Sequence, residues 1–273
     1  MKSTNDLIIK LLTKHINSIP KLYKSFDFSH KQQKYKLSEY LIDIMYVLKT
    51  GIAWRDLRSH INWNSVYKTY VKLNSFKIFK ISYVSLLNKY FKKSFNNKLR
   101  FVSTDTSFIP NKKGKDLTGY NKFYNRKRGT KISLLTDSNG IPFNFQCFKG
   151  NMYDSKILLL HLKHHDLIEL KDIMPKIKYF LADPGYDSKQ IRFELNNMNY
   201  KPLIVQNKRN IKDPAKLNTL NNKDKKIYKK RLVIERTFNR MKMDRKLCLR
   251  YESKIENFEG FIYLSLIKIL CQV

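Results

Sequence analysis

The stretch that decides the fold is KISLLTDSNGIPFNFQCF, which runs from Lys131 to Phe148. Two runs rich in apolar and β-branched residues flank Ser138-Asn139-Gly140, a sequence typical of a tight turn between antiparallel strands. Asp137 stands at the start of that turn, where an aspartate side chain can cap the backbone. The stretch therefore predicts a β-hairpin.

Strand and helix patterns alternate on both sides of this hairpin. RFVSTDTSFI, Arg100–Ile109, alternates like a strand and comes first. After the hairpin, SKILLLHLKHH and SKQIRFELNNM have helical spacing, while KYFLADPGY and KPLIVQ are short strand patterns. A three-stranded meander followed by alternating helices and strands predicts a mixed sheet with helices packed on it, over residues 100–273.

The first part of the chain has a different pattern. LSEYLIDIMYVLKT, WNSVYKTYVKL and ISYVSLLNKYFKK each predict a helix; Gly51 stops the first, and Asn62 or Asn64 caps the second. SFNNKLR, Ser94–Arg100, has the composition of a linker. Three short helices with basic faces fit a small helix-turn-helix-like DNA-binding domain over residues 1–95. The alternative is a plain helical bundle that supports the rest of the protein.

Charge is the main clue to partners. The chain of 273 residues carries 55 Lys and Arg against 22 Asp and Glu, a net charge of +33. Such a field attracts polyanions, so nucleic acid is the first expected partner. The apolar runs are too short and too interrupted by lysine to span a membrane, and no signal peptide is expected. The three cysteines predict neither a zinc site nor a disulfide framework.

Two aspartates stand where chemistry is expected. Asp105 lies inside a strand pattern, where an acid is unfavourable, and Asp183 follows the strand pattern YFLA. Together with Glu235, they would place three carboxylates at one edge of the sheet. Carboxylate oxygens suit Mg²⁺ or Mn²⁺, and two such ions support in-line phosphoryl transfer. Alone, each acid is more ordinarily a turn residue, a cap or a solvated charge.

Glu235 lies in YKKRLVIERTFNRMK, which predicts a long helix over Tyr228–Arg245 after a loop at residues 206–226. On a helix, Tyr228, Arg231, Glu235 and Lys242 share one face, because their offsets of 0, 3, 7 and 14 fall within one stripe. The neighbouring apolar stripe would hold the helix on the sheet; it consists of Ile227, Ile234, Phe238 and Met241. The face presents one acid among phosphate-binding groups. The alternative is a solvated basic helix in which Glu235 pairs with Arg231.

The signature Y-x2-R-x3-E-x6-K, intact in this helix, resembles that of bacterial insertion-sequence transposases of the DDE class, in the group named after insertion sequences 4 and 5. Further blocks resemble the family in the family's order over about residues 36–270. These blocks are MYVLKTGIAWRDL, WNSVYKTY, RGTKISLLTDSNGIPFNFQCFKGN, LADPGYDS and RLVIERTFNRMK.

The resemblance implies a ribonuclease H-like catalytic domain behind a helical DNA-binding region. Asp105, Asp183 and Glu235 would be the catalytic triad, holding two Mg²⁺ ions for which Mn²⁺ can substitute. The reaction would be cleavage at the ends of a mobile element and transfer of the freed 3′ hydroxyl into target DNA. The expected partner is double-stranded DNA, bound by a homodimer or larger oligomer inside the cell. Candidates for contacting DNA are Tyr228, Arg231, Lys242, Arg236 and Lys131.

Two positions depart from the family pattern: Tyr153 stands where many relatives have histidine, and Pro184 stands where lysine is common. Asp154 and Asp187 are rival or supporting acids, and Asp183 is ranked above Asp187 because the strand pattern ends at Asp183. Two other functions stay open: a decayed or domesticated DNA-binding protein, and a metal-dependent nuclease without strand transfer.

Overall fold

The structure, a computed structural model, describes residues 3–26, 34–94, 101–163, 177–207 and 220–273. The chain divides into two compact units. The first comprises Met1–Tyr90, Lys112–Asp116 and Arg240–Val273; the second comprises Phe91–Asn111 and Leu117–Asn239. The linker predicted at Ser94–Arg100 falls almost wholly outside the described residues. The functional division into residues 1–95 and 100–273 stays a prediction.

The second unit is built on a mixed β-sheet. Its strands are β1 (Phe101–Pro110), β2 (Gly119–Asn121), β3 (Lys127–Thr136), β4 (Pro142–Lys149), β5 (Tyr179–Ala182) and β6 (Lys201–Ile204). β1, β3 and β4 form an antiparallel meander, and the short β2 pairs with the start of β3. β5 and β6 continue the sheet on the other side of β1, parallel to it. The predicted mixed sheet is confirmed; β2 was not predicted.

The hairpin between β3 and β4 owes its turn to Asp137. Its Oδ1 accepts hydrogen bonds from the backbone N–H groups of Asn139 and Ile141, at 2.9 and 2.8 Å. Gly140 has φ of +79°, which an L side chain rarely adopts. Both the predicted hairpin and the predicted cap are confirmed.

Helices flank the sheet within the second unit. They are α6 (Asp154–Leu162), α7 (Lys189–Asn197) and α8 (Asn222–Tyr228), followed by α9 (Val233–Lys242), which runs on into the first unit. The predicted apolar stripe is buried, with Ile234, Phe238 and Met241 fully or nearly so and Ile227 packed partly against the core. Val233 joins Phe101, Leu181 and Leu203 in that core. Packing of Val233 and Ile227 in this core holds the start of the helical segment on the sheet.

The helix predicted over Tyr228–Arg245 is wrong in its continuity. A 3₁₀ turn at Lys229–Leu232 separates α8 from α9, and a second one follows at Arg245–Leu247. The loop predicted over residues 206–226 is also wrong at its end, because α8 starts at Asn222 behind a cap from Asn221 to Asp224. Residues 208–219 of that loop lie outside the described residues. Short 3₁₀ pieces tighten helix ends without breaking the apolar pattern, so periodicity does not detect them.

The first unit is helical. It contains α1 (Thr4–Asn17), α2 (Pro20–Phe26), α3 (Leu37–Thr50), α4 (Trp63–Ser75), most of α5 (Ile78–Ser94) and the apolar α10 (Ile255–Leu270). Gly51 ends α3 with φ of +71°, and Asn62 caps α4 through the N–H of Asn64, as predicted. α1 and α2 were not predicted. α1 begins with a capping box between Ser3 and Asp6 that the sequence does display.

Aromatic stacking and ion pairs help to hold the first unit together. The rings of Tyr70 and Phe261 stack at 4.4 Å between centroids, with Trp54 beside them. Arg250 is fully buried and pairs with the Asp116 carboxylate. Among the helices that the structure describes, none is long and apolar enough to cross a bilayer.

Candidate active site

Asp105 and Asp183 are brought together by the register of two parallel strands. Ser103 of β1 pairs with Leu181 of β5. Asp105 and Asp183 each come two residues later, and Asp183 keeps an extended backbone with φ of −66° and ψ of 157°. Two residues along a strand return a side chain to the same face, and neighbouring strands lie about 4.8 Å apart. The two carboxylates therefore emerge side by side on one face of the sheet, at the point where β5 ends and β1 continues.

Arg231 joins the third predicted acid to this pair. Its Nη1 lies 3.9 Å from Asp183 Oδ2 and 3.7 Å from Glu235 Oε1. The hydroxyl of Ser103 donates to the Arg231 carbonyl oxygen at 3.2 Å, which ties the 3₁₀ turn to β1. Thr237 donates to the Gly140 carbonyl oxygen at 2.8 Å and fixes α9 on the β3–β4 turn. Both Asp183 and Glu235 keep about half of their side chains exposed.

The surroundings of Asp105 disfavour the charged form of its carboxyl group. Burial raises the pKa of its carboxyl to about 6, against the opposing hydrogen bond from the backbone N–H of Thr106 at 2.8 Å. The negative charges of Asp183 and Asp154 raise this pKa further, while Arg231 lowers it. Crowded carboxylates of this kind are a mark of functional sites, because a bound cation relieves them.

Asp154 lies beside this pair and is held by two donors. The Thr106 hydroxyl and the Lys131 ammonium each donate to its Oδ1 at 2.7 Å, and Lys131 also donates to the Met152 carbonyl oxygen at 2.9 Å. Lys131 is almost fully buried. A phosphate contact by Lys131, which the sequence predicts, would have to break this pair.

The Tyr186 hydroxyl points into the same group of acids. Burial raises the pKa of this phenol well above its usual range, and the charges of Asp105 and Asp154 add to the effect. The Thr106 side chain opposes this rise in pKa, but it makes no hydrogen bond of normal geometry with the buried hydroxyl, and neither does any other residue that the structure describes. The sequence reasoning did not select Tyr186 or Thr106, although both adjoin a selected acid: Thr106 follows Asp105, and Tyr186 comes three residues after Asp183.

Asp187 has a different environment. Arg192 donates to its Oδ1 from Nε and Nη2 at 3.0 and 2.7 Å, and the backbone N–H of Asn207 donates to its Oδ2 at 3.0 Å. Arg192 also donates to the Ile204 carbonyl oxygen at 2.8 Å, so the pair ties α7 to the end of β6. Both oxygens of Asp187 are thus engaged in holding the fold.

The remaining predicted DNA contacts lie along the helical segment. The Tyr228 ring is 5.8 Å from the Arg231 guanidinium, and Lys242 is exposed at the end of α9. An open groove of about 470 Å³ borders Glu235; it is lined by Lys229, Lys230, Leu232, Glu235, Arg236 and Asn239. Three of these six side chains are cationic, which suits a phosphate beside the acids.

The three carboxylates are donors that suit a hard divalent cation, but they are not arranged around a common point in this structure. Over the described ranges, no three His, Cys, Asp or Glu side chains come close enough together to hold a metal ion. The Arg231 guanidinium supplies a positive charge between Asp183 and Glu235. The raised pKa of Asp105 shows that its charged form is disfavoured, and a cation bound beside this carboxylate would stabilise that form.

The sequence is similar to known transposases. A family model described as "Transposase DDE domain" matches residues 96–269, more than half of the chain. A putative transposase for insertion sequence element IS6501 of Brucella ovis is 27 % identical over 140 residues, which cover 50 % of this chain and 93 % of that protein.

Two solved structures of Mos1 transposase were also found. The paired-end complex with the left transposon end has a TM-score of 0.25 and 11 % identity, covering 84 % of this chain and 87 % of that one. The pre-cleavage transpososome has a TM-score of 0.27 and 14 % identity, covering 92 % of this chain and 84 % of that one.

Proposed function

The chain belongs to the transposase DDE domain family, and we propose that it cleaves DNA at the ends of a mobile element and joins the freed ends to target DNA. Members of this family generally use divalent metal ions. The narrower grouping with insertion sequences 4 and 5 stays a prediction. The observation that carries the proposal is the placement of Asp105 and Asp183, each two residues beyond the paired Ser103 and Leu181 of two parallel strands, with Glu235 linked to Asp183 through Arg231.

Asp105, Asp183 and Glu235 are the residues that would hold the metal, and Mg²⁺ is the ion proposed, in two copies that Mn²⁺ can replace. When bound, such ions activate the attacking oxygen and stabilise the leaving oxygen of a phosphodiester. The three acids come from β1, the end of β5 and α9, so the sheet and its docked helix set their positions. Asp154 and Thr106 form the neighbouring layer that orients the β1 side of the site.

The DNA strand is positioned by the basic residues around the acids. Arg231 lies within ion-pair distance of two carboxylates, and its guanidinium would donate to a phosphate of DNA bound beside these acids. Lys229, Lys230 and Arg236 line the groove next to Glu235 and supply further positive charge. Tyr228 and Lys242 are proposed DNA contacts at the two ends of the same segment. The net charge of +33 would speed the first encounter with DNA.

The test is metal-dependent cleavage and joining of the DNA that flanks the gene. Duplexes carrying the short inverted repeats expected there are incubated with full-length protein, a target plasmid, and Mg²⁺ or Mn²⁺. Cut ends that become joined to the plasmid, and that disappear with Asp105→Asn, support the proposal. Glu194→Gln on α7 is a matched control because it also removes one carboxylate charge, and it should leave the products unchanged.

The reaction products also distinguish the proposed transposase from the two alternative functions. Cut ends that never join a target would indicate a metal-dependent nuclease without strand transfer. DNA binding without any product in either metal would indicate a DNA-binding protein that has lost its catalysis, and would refute the proposal. The proposed assembly, a homodimer or larger oligomer on paired ends, is tested by light scattering with and without those duplexes.

A further inference from the structure

The tip between β2 and β3 exposes a bare aromatic ring. Phe123 is 85 % exposed, the highest value among the large hydrophobic side chains that the structure describes. No ring packs against it within the described part of the chain. Tyr120 and Tyr124 on either side are also exposed, at 68 % and 51 %. A solitary exposed ring needs no explanation, but three within five residues form an apolar patch that fits a partner.

Specific contacts hold this tip in one conformation. Asn121 is buried and donates from Nδ2 to the Gly150 carbonyl oxygen at 2.8 Å, while its Oδ1 accepts the Phe123 N–H at 3.0 Å. The Tyr124 ring stacks on the buried Phe108 ring at 4.6 Å between centroids. Phe123 is therefore presented outward by a fixed turn whose neighbour Tyr124 is already packed.

The base of the hairpin is equally constrained. The backbones of Gly119, Gly129 and Gly150 approach so closely that a methyl group on Gly150 would lie 2.5 Å from the Gly129 carbonyl oxygen and 2.8 Å from that of Gly119. Asn125 and Arg126 at the far side of the turn have φ of +52° and +53°. Two successive non-glycine residues in this left-handed region carry strain, which structures retain mostly at functional positions.

The charges around the ring identify the partner's chemistry. Residues 122–128 contain four cations and no acid; the cations are Lys122, Arg126, Lys127 and Arg128. All four side chains are exposed. Cations beside exposed aromatic rings form the arrangement that binds single-stranded nucleic acid, with phosphates on the cations and bases stacked on the rings. A second copy of this basic chain would bring like charge to the same tip.

We propose that the β2–β3 tip captures an unpaired DNA nucleotide, with its base stacked on Phe123 and its flanking phosphates on the surrounding cations. The base must be unpaired, because a duplex covers the faces of its bases except at its ends. The inference rests on the proposed function, which supplies DNA with cut ends. It adds a substrate feature that the three acids do not specify: an extrahelical or frayed base.

The experiment compares three DNA probes by fluorescence anisotropy with the full-length protein in EDTA. The probes are a short single strand, the blunt duplex containing it, and the same duplex with an unpaired 3′ tail. Wild-type protein should bind the tailed duplex more tightly than the blunt one. Phe123→Ala should lose this preference, with affinity for the tail and the single strand falling roughly 5- to 150-fold. Its affinity for the blunt duplex should change less than about twofold, since phosphate contacts dominate duplex binding.

Three further variants make the outcome specific. Phe123→Trp keeps a stacking face and should retain the preference for the tail. Phe193→Ala removes another exposed ring, on α7, and should behave like wild type. The double variant Lys122→Gln with Lys127→Gln should bind all three probes more weakly. The slope of log K against log salt concentration should become shallower by roughly 1.5.

Equal binding of tailed and blunt duplexes by wild-type protein, or an unchanged preference in Phe123→Ala, would overturn the inference. A change in oligomeric state of Phe123→Ala with unaltered DNA affinity would assign the tip to a protein contact and would also overturn it. Either result could accompany intact metal-dependent cleavage, so it would leave the proposed function standing. Loss of cleavage in wild type would refute the function instead.

Discussion

Asp105 in β1 and Asp183, directly after β5, each stand two residues beyond the paired Ser103 and Leu181 of these parallel strands. This register places two carboxylates on one face of the sheet at the carboxyl end of β5, where mixed and parallel sheets hold their sites. It also accounts for the charge strain at Asp105, because the second acid adds repulsion to the burial of the first.

The first prediction concerns pH and stability without metal. The pKa of Asp105 is about 6 in the folded protein and near 3.8 in the unfolded chain, so folding favours the protonated form. The free energy of unfolding should therefore fall as pH rises through the window from about 4 to about 6. Asp105→Asn removes this effect. Its stability advantage over wild type should grow by about 2 kcal/mol between pH 4.5 and pH 7.5.

Urea unfolding of both proteins in EDTA at the two pH values measures this difference. The comparison with Asp105→Asn removes the titrations that both proteins share and leaves that of Asp105, together with its effect on the neighbouring acids. An advantage that is the same at both pH values would show that the Asp105 carboxyl titrates normally.

The second prediction concerns Arg231 as an internal counter-ion. Its guanidinium lies 3.7 to 3.9 Å from two half-exposed carboxylates and competes there with any metal ion. Arg231→Ala should therefore bind Mn²⁺ roughly 3- to 10-fold more tightly, as expected for losing one weakly screened positive charge. The same variant should bind element-end DNA more weakly. Electron paramagnetic resonance of free Mn²⁺ gives the metal affinity.

Arg236→Ala serves as the control for net charge, because Arg236 is exposed on the same helix next to Glu235. It should change Mn²⁺ affinity less than Arg231→Ala does. Weaker Mn²⁺ binding by Arg231→Ala would mean that Arg231 supports the metal site, contrary to the competition argued from the geometry.

The third prediction concerns the ion pair between buried Lys131 and partly exposed Asp154, beside the acids. Lys131 donates to Asp154 at 2.7 Å from an almost fully buried position. Lys131→Met should lower the free energy of unfolding by about 1–3 kcal/mol, because it leaves a carboxylate without its main donor. Lys149→Met, on the exposed end of β4, should change stability by less than about 0.5 kcal/mol.

Adding Asp154→Asn to Lys131→Met should return part of the lost stability, since the unpaired charge is then gone. Urea unfolding of the two single variants and the double variant gives the coupling. Fully additive losses would show that the two side chains do not stabilise each other.

The fourth prediction concerns Tyr186, whose buried hydroxyl lacks a hydrogen-bond partner among the described residues. Such a group costs stability, so Tyr186→Phe should keep or raise the free energy of unfolding, by up to about 1–3 kcal/mol. The hydroxyl lies beside Asp105 and Asp154, where it can act on the reacting groups, so we expect the variant to cleave more slowly. Thermal unfolding and cleavage rates of the same preparation test both halves. A destabilised variant with normal cleavage would contradict this account.

Much of the sheet could be predicted because its signals are local. Alternation marked β1, the turn at Ser138-Asn139-Gly140 marked the hairpin, and short apolar runs marked β5 and β6. The pairing of β1 with β5 could not be predicted from such signals, since a parallel contact between residues so far apart leaves no local pattern. That pairing brings Asp183, which directly follows β5, next to Asp105. Asp187 instead accepts hydrogen bonds from Arg192.

The rest of the site was missed for similar reasons. Thr106 and Tyr186 are ordinary residue types in a strand and a turn, and only tertiary packing brings them to the acids. The break at Lys229–Leu232 keeps the apolar stripe intact, so helical spacing continued through it. α1 is different: its capping box, Ser3 with Asp6, was readable in the sequence.

The central claim, that Asp105, Asp183 and Glu235 act as one metal-dependent site, is tested most directly by cleavage rates of single and combined variants. Each of Asp105→Asn, Asp183→Asn and Glu235→Gln is measured in Mg²⁺ on element-end DNA, beside the double variant Asp105→Asn with Glu235→Gln. Residues that work as a unit are not additive, so the double variant should lose no more activity than either single one, and all should still bind the DNA. Independent, multiplying losses, or normal cleavage by Glu235→Gln, would contradict the account.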